Sequence, residues 1–135
     1  MEARIDVEVT APVFETELEE RVATAIQRLF PGADPTARHG ELAATVHSLE
    51  HLSELLHRQE ILDTARGVFL GNRRGDGFSF RLKKQAALQG VVNFVTDEPG
   101  ELGAITVRVR VEGADPEAYI DHVAPPTEGG EPVTV

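Results

Sequence analysis

The basic residues of this chain are concentrated in one stretch, where they could bind a polyanion. Of the 135 residues, 13 are Lys or Arg and 23 are Asp or Glu, so the formal net charge is −10. The stretch from Arg58 to Lys84 reverses this balance with seven basic and three acidic residues. Guanidinium and ammonium groups hold successive phosphates through charge-assisted hydrogen bonds. The stretch therefore indicates a phosphate-binding surface, and the alternative is a solvated surface whose charges are paired internally.

Two further arginines, Arg108 and Arg110, alternate with apolar residues and are expected to emerge from one face of a strand. They could extend the phosphate-binding surface. They could equally lie opposite Asp6 and Glu8 on a neighbouring strand, because cross-strand ion pairs of this kind are common. The sequence leaves both interpretations open.

The histidines suggest a second kind of chemistry, a metal site. His47 and His51 stand four residues apart, with Glu50 and Glu54 nearby. Ser48, however, is a plausible N-cap, which would put His47 before the helix and off the face that carries His51. We therefore expect no metal site here.

Catalytic motifs are missing from the sequence. It has no Cys, no G-x-S-x-G and no Walker A, dinucleotide-binding or H-E-x-x-H pattern. Phe78 and Phe80 could in principle stack on bases, but no RNP-type motif surrounds them, so we expect them in the core. The sequence predicts a chain without enzymatic activity and without a cofactor.

The composition indicates one cysteine-free, aliphatic domain. The apolar fraction is 41%, only 5% of residues are aromatic, and there is no Trp. We find no apolar run of about 18 residues and no signal-peptide pattern after Met1, so a cytoplasmic protein without membrane contact is expected. The acidity, with only two lysines, is typical of a salt-rich cytoplasm, since molar salt screens a carboxylate-rich surface.

The hydrophobic pattern predicts alternating strands and helices. Residues 4–10 alternate as a half-buried strand, and a capping box at Thr16 and Glu19 opens a helix that ends near Phe30. The remaining predictions are a hairpin turn at His39 and Gly40 with a second arm at 41–46, one or two helices within 48–70, a flexible basic loop at 71–77, strands at 78–83, 91–95 and 104–111, and a helix from Asp115 to Asp121.

This order predicts an α+β fold of the split βαβ, ferredoxin-like type. Helices would cover one face of a mainly antiparallel sheet, and Arg81, Lys83, Arg108 and Arg110 would emerge on the other face. We expect a single domain at 1–123 and a C-terminal tail rich in Pro, Gly and Glu at 124–135.

Four segments of the chain resemble an uncharacterised archaeal conserved-protein family. His57 to Arg66 resembles its "R-K-Q-x-I-L-D-T-A-R" segment, and Phe80 to Phe94 resembles "F-x-L-N-K-Q-A-A-x-x-G-x-V-x-F". Leu102 to Ile105 matches a third segment, and Tyr119 to Pro125 matches the closing "Y-I-D-W-I-A-P". Two positions differ: Lys83 stands where an asparagine is usual, and His122 replaces an aromatic residue.

The resemblance implies a fold similar to the large-subunit ribosomal protein of the L-five type. It also implies RNA binding or a role as an exosome subunit, with a homodimer expected. The resulting hypothesis is a non-catalytic RNA-binding module associated with RNA processing or the ribosome, and the alternative is a dimeric protein-interaction scaffold. The predicted RNA-contacting residues are Arg66, Arg73, Arg74, Arg81, Lys83, Lys84, Gln85 and Asn93.

Overall fold

The alternating apolar residues of two strands that lie far apart in sequence form the centre of the fold. In the computed structural model, which describes residues 3–96, 103–128 and 131–132, β1 (Arg4–Pro12) pairs antiparallel with β6 (Ile105–Glu112). Asp6 lies opposite Arg110 and Glu8 opposite Arg108. The expected cross-strand register therefore forms, and Arg108 pairs with the carboxylate opposite it, whereas Arg110 pairs with Asp76 and Glu112.

The other elements extend this pair on both sides. They are α1 (Glu19–Leu29), β2 (Thr36–Arg38), β3 (Glu41–Val46), α2 (Glu50–Arg58), α3 (Leu62–Gly71), β4 (Arg73–Arg74), β5 (Gly77–Leu82), α4 (Lys84–Leu88), α5 (Pro116–Val123), β7 (Thr127–Glu128) and β8 (Glu131–Pro132). The main sheet has the order β2-β3-β1-β6-β5-β4, and each pair of neighbours is antiparallel. The predicted α+β class is confirmed.

The core lies between one face of this sheet and the helices. The inward side chains of the two central strands are Ile5, Val7, Val9, Ala11, Ile105, Val107, Val109 and Val111, and all of them are buried. Phe78 and Phe80 of β5 are also buried and contact the ring of Phe69 from α3. The expectation that these phenylalanines belong to the core is confirmed.

Helix α1 buries the predicted apolar stripe but begins later than predicted. It starts at Glu19, and its N-cap, Leu18, makes no side-chain capping bond, so the capping box at Thr16 was wrong. The carboxylate of Glu17 explains the delay. It accepts a hydrogen bond from the backbone of Phe14 at 3.1 Å and one from Lys84 at 2.9 Å, which holds residues 14–17 in a turn.

The helical region at 48–70 consists of two helices. The break falls at Glu60, whose φ of 57° lies in the left-handed region that a continuous helix excludes. The hydroxyl of Tyr119 accepts a hydrogen bond from Leu49 at 2.9 Å and so joins the start of α2 to α5. Burial raises the pKa of the Tyr119 hydroxyl above its ordinary value.

The strand predicted at 91–95 was wrong. Only Phe94 forms a bridge, opposite Leu82, and residues 84–88 form a short helix that the sequence analysis missed. The side chain of Gln59 provides the physical reason. Its amide oxygen accepts a hydrogen bond from the backbone N–H of Val92 at 2.8 Å, and its amide nitrogen donates to the Val92 carbonyl at 3.0 Å. These two backbone groups therefore do not take part in a strand ladder.

The hairpin turn and the last helix follow the predictions more closely. His39 and Gly40 both have positive φ, at 49° and 79°, as a two-residue type I′ hairpin requires. Asp115 caps α5 through the backbone N–H of Glu117 at 2.8 Å. Of the tail predicted at 124–135, residues 129–130 and 133–135 lie outside the described residues. Leu102, the first residue of the third family segment, also lies outside them. None of the helices in the described part of the chain combines the length and apolarity that a membrane crossing requires.

Candidate nucleic-acid interface

The face of the sheet opposite the core is covered with charged and hydroxyl side chains. Because strand residues alternate between faces, the outward positions of β6 and β5 are occupied by Thr106, Arg108, Arg110, Ser79 and Arg81. We call this the polar face. It carries Asp6 and Glu8 on the adjacent β1 as well, so arginines and carboxylates are interleaved across it.

Arg108 and Arg110 of the polar face are held by nearby carboxylates. Arg108 lies 3.5 Å from Glu8, and Arg110 lies 2.9 Å from Asp76 and 3.1 Å from Glu112. The hydrogen bond to Asp76, followed by the charge of Glu112, raises the pKa of Arg110 above its ordinary value. All five side chains are exposed, so these ion pairs are weak and a competing anion can replace the carboxylates.

A groove of about 550 Å³ lies between α3 and β5 and opens toward the polar face. We call it the α3–β5 groove. Its polar lining consists of Asn72, Ser79, Arg81, Thr96, Thr106 and Arg108. Two guanidinium groups from neighbouring strands therefore border a space that also offers three hydroxyl groups and one amide.

Four of the predicted RNA-contacting residues lie along β5 or beside it. Arg81 lines the groove, and Arg74 is in register with Gly77, so it emerges on the same face about 13 Å away along the strand. Lys83 and Asn93 are exposed, and the backbone N–H of Lys83 donates to the carbonyl of Asn93 at 2.9 Å. Within the described residues, neither Arg74 nor Lys83 forms an ion pair.

Arg66 and Arg73 lie elsewhere, and this corrects the expectation of a single cationic surface. Arg66, with a side chain 20% exposed, joins α3 to Asp121 of α5 at 2.6 Å and to the carbonyl of Ala124 at 3.2 Å. Arg73 is in register with the buried Phe78, and it pairs with Asp115 at 2.9 Å. Both guanidinium groups are used to fix α5.

Lys84 and Gln85 are also displaced from the polar face. The side chain of Lys84 is only 6% exposed, and its Nζ bonds Glu17 at 2.9 Å and the carbonyl of Pro12 at 2.6 Å. It also lies over the ring of Phe14, 5.0 Å from the ring centroid. Gln85 lies on α4, where it lines a separate groove against α1. Lys84 is therefore a structural cation, and a polyanion cannot reach it.

The neutral half of the groove was not predicted from the sequence. Ser79 and Thr106 follow directly from strand alternation, so their outward position could have been predicted. Asn72 and Thr96 could not, because their place in the groove depends on how α3 and the segment after Phe94 pack beside β5.

The histidines lie apart from this face. His47 precedes α2 and its Nδ1 lies 3.0 Å from the carbonyl of Ile5 and 3.1 Å from Asp6. His51, on α2, lies 3.6 Å from Glu54. The two do not share a helix, as predicted, although the N-cap of α2 is Leu49 and the predicted N-cap at Ser48 was wrong. Over residues 3–96 and 103–128 no group of three or more His, Asp or Glu side chains is arranged to hold a metal ion.

Comparison with known proteins places the chain in a family. A family model described as RNA binding matches residues 6–111. A UPF0201 protein of Thermococcus kodakarensis is 38% identical over an alignment of 135 positions, and the alignment covers 95% of each of the two chains. The chain belongs to the UPF0201 family.

Other members of the UPF0201 family give a consistent picture. The crystal structure of a UPF0201 protein from Methanococcus jannaschii superposes with a TM-score of 0.89 at 36% identity, over 96% of this chain and 99% of that one. A UPF0200/UPF0201 protein of Archaeoglobus fulgidus is 35% identical over 130 residues. That protein is much longer, and this chain covers 40% of its length.

Proposed function

We propose that the chain is a non-catalytic RNA-binding module that contacts RNA with the β5 and β6 half of the polar face. The observation that carries this proposal is the position of Arg81 and Arg108. They lie on neighbouring strands and border one groove on the face opposite the core. The RNA-binding family model, which matches residues 6–111, supports RNA binding by the chain as a whole.

Short-range contacts must supply most of the affinity. The body of the protein is strongly anionic, with a formal net charge of −10, so it repels a polyanion at long range. Guanidinium groups compensate for this at contact distance, because each can make two parallel hydrogen bonds to one phosphate. Lys83 and Arg74 extend the cationic surface at the two ends of β5.

The proposal is tested with the double variant Arg81→Ala, Arg108→Ala. We expect its affinity for a labelled single-stranded RNA to fall at least about tenfold, because hydrogen bonds to charged groups are among the strongest polar contacts. The measurement is fluorescence anisotropy at several potassium chloride concentrations. The plot of log affinity against log salt should flatten by about 0.7 for each phosphate contact removed.

The matched control is Arg21→Ala, Arg28→Ala, which removes the same charge from exposed positions on α1. We expect the control to bind RNA nearly as wild type does. Equal losses in both variants would mean that only the overall charge matters, and no loss in the groove variant would refute the assignment. If RNA does not bind at all, the protein-interaction scaffold becomes the better hypothesis, and a pull-down that is insensitive to nuclease would support it.

A further inference from the structure

We propose that the α3–β5 groove receives an unstacked nucleotide, so that the protein prefers single-stranded RNA to duplex RNA. This inference rests on the proposed RNA-binding function and specifies its ligand. Two properties of the groove support it: the polar groups of its lining and its volume.

The lining of the groove suits the edge of a base and a ribose hydroxyl. Ser79, Thr96 and Thr106 each offer a hydroxyl group that can donate and accept a hydrogen bond, and Asn72 adds an amide that does both. Side chains of this kind read the exposed edges of unpaired bases and the 2′-hydroxyl of RNA. Arg81 and Arg108 lie where they can bind the phosphate or stack on the base.

The size of the groove excludes a duplex from its interior. Its volume of about 550 Å³ falls within the range of small-molecule sites, which is roughly 300–1,000 Å³. In a duplex the bases are paired and stacked, so only the phosphates could approach the arginines at the rim. A base can enter only after it has left the stack, as in a single strand, a loop or a bulge.

Two glycines keep the groove open. Gly67 and Gly71 stand four residues apart on α3, so they lie on the same side of the helix, and both line the groove. A Cβ at either position would meet nothing within 4 Å, and neither glycine has a positive φ. At Gly67, inside the helix, glycine is less favourable than alanine, and neither backbone conformation nor crowding requires it there. Without side chains, these two positions leave the groove wider on its α3 side.

The variant Gly67→Leu tests the inference by filling that space without changing any charge. We expect its affinity for an unstructured oligoribonucleotide to fall about tenfold, because a base kept out of the groove loses its hydrogen bonds to the hydroxyl groups and the amide. Its affinity for an RNA hairpin stem of the same length should stay within about twofold, because phosphate contacts at the rim remain. Thr64→Leu is the matched control, on the same helix and exposed but outside the groove lining.

A second pair of variants keeps the test independent of folding. Thr106→Val removes one hydroxyl from the groove, and Thr45→Val makes the same change on β3, away from it. Only Thr106→Val should weaken single-strand binding. Equal affinity of the wild type for single strand and duplex, or unchanged single-strand binding by both groove variants, would overturn the inference and leave the proposed function standing. Failure to bind any RNA would remove both.

Discussion

Lys84 and Glu17 form an ion pair that is almost wholly shielded from water. Their side chains are 6% and 10% exposed, and each also bonds the backbone where β1 ends and the connection to α1 begins, at Pro12 and at Phe14. Partners of this kind are costly to separate, because the charge that remains is buried without a counterion. The pair therefore fixes the connection from β1 to α1 onto α4.

Replacing Lys84 should damage the fold and spare RNA binding. We expect Lys84→Ala to lower the free energy of unfolding by about 3 kcal/mol, since Glu17 loses its buried partner. Urea denaturation followed by circular dichroism measures the loss. The control is its neighbour Lys83→Ala, which is exposed and should change stability by no more than about 0.5 kcal/mol.

RNA affinity should show the opposite pattern to stability in these two lysine variants. Lys83→Ala should weaken binding, while folded Lys84→Ala should bind as wild type does. A Lys84→Ala protein that keeps its stability and loses RNA affinity would contradict the structural role assigned to this residue.

At the scale of the strands, carboxylates on or beside the polar face would compete with RNA phosphates for its arginines. Glu8 on β1 and Asp76 in the turn before β5 occupy the guanidinium groups of Arg108 and Arg110. On the proposed interface, RNA phosphates would have to displace these carboxylates. The affinity would then depend on both the arginines and the acids that lie side by side on this face.

Removing the competing carboxylates should strengthen RNA binding. We expect Glu8→Gln, Asp76→Asn to raise the affinity about two- to tenfold, because exposed ion pairs are individually weak. Glu19→Gln, Glu20→Gln makes the same charge change on α1 and serves as the control in the same anisotropy assay. If the control gains as much, the effect is a general reduction of negative charge and the local competition is refuted.

The sequence was sufficient to predict those elements whose pattern is local. Alternation gave β1, β5 and β6 and the outward position of Arg81 and Arg108, because burial of one sheet face imposes that period. It could not give the start of α1 or the absence of a strand at 91–95. Those depend on Glu17 meeting Lys84 and on Gln59 bonding Val92, contacts between residues far apart in the chain.

The candidate site was predicted only in part for the same reason. The charge count treated Arg66 and Arg73 as equivalent to Arg81. Their partners, Asp121 of α5 and its N-cap Asp115, lie more than 40 positions away, and nothing in the local pattern of either arginine points to them. Long-range ion pairs with α5 and its N-cap therefore hold these two arginines away from the polar face.

For the whole molecule, the excess of acid predicts a fold that salt stabilises. The formal net charge of −10 on 135 residues makes the folded state repel itself in dilute buffer. At molar salt the Debye length falls to about 3 Å and the repulsion is screened. We expect the midpoint of thermal unfolding to rise from low to molar potassium chloride, as measured by calorimetry. Sodium chloride should act similarly, and a constant or falling midpoint would contradict the screening argument.

The central pairing of β1 with β6 also determines when the chain can fold during translation. Glu8 and Arg108 meet across this pair although 100 positions separate them. A ribosome must therefore release nearly the whole domain before the first strand gains its second neighbour. Until then one edge of that strand is exposed in the nascent chain, where it can pair with another polypeptide and begin aggregation.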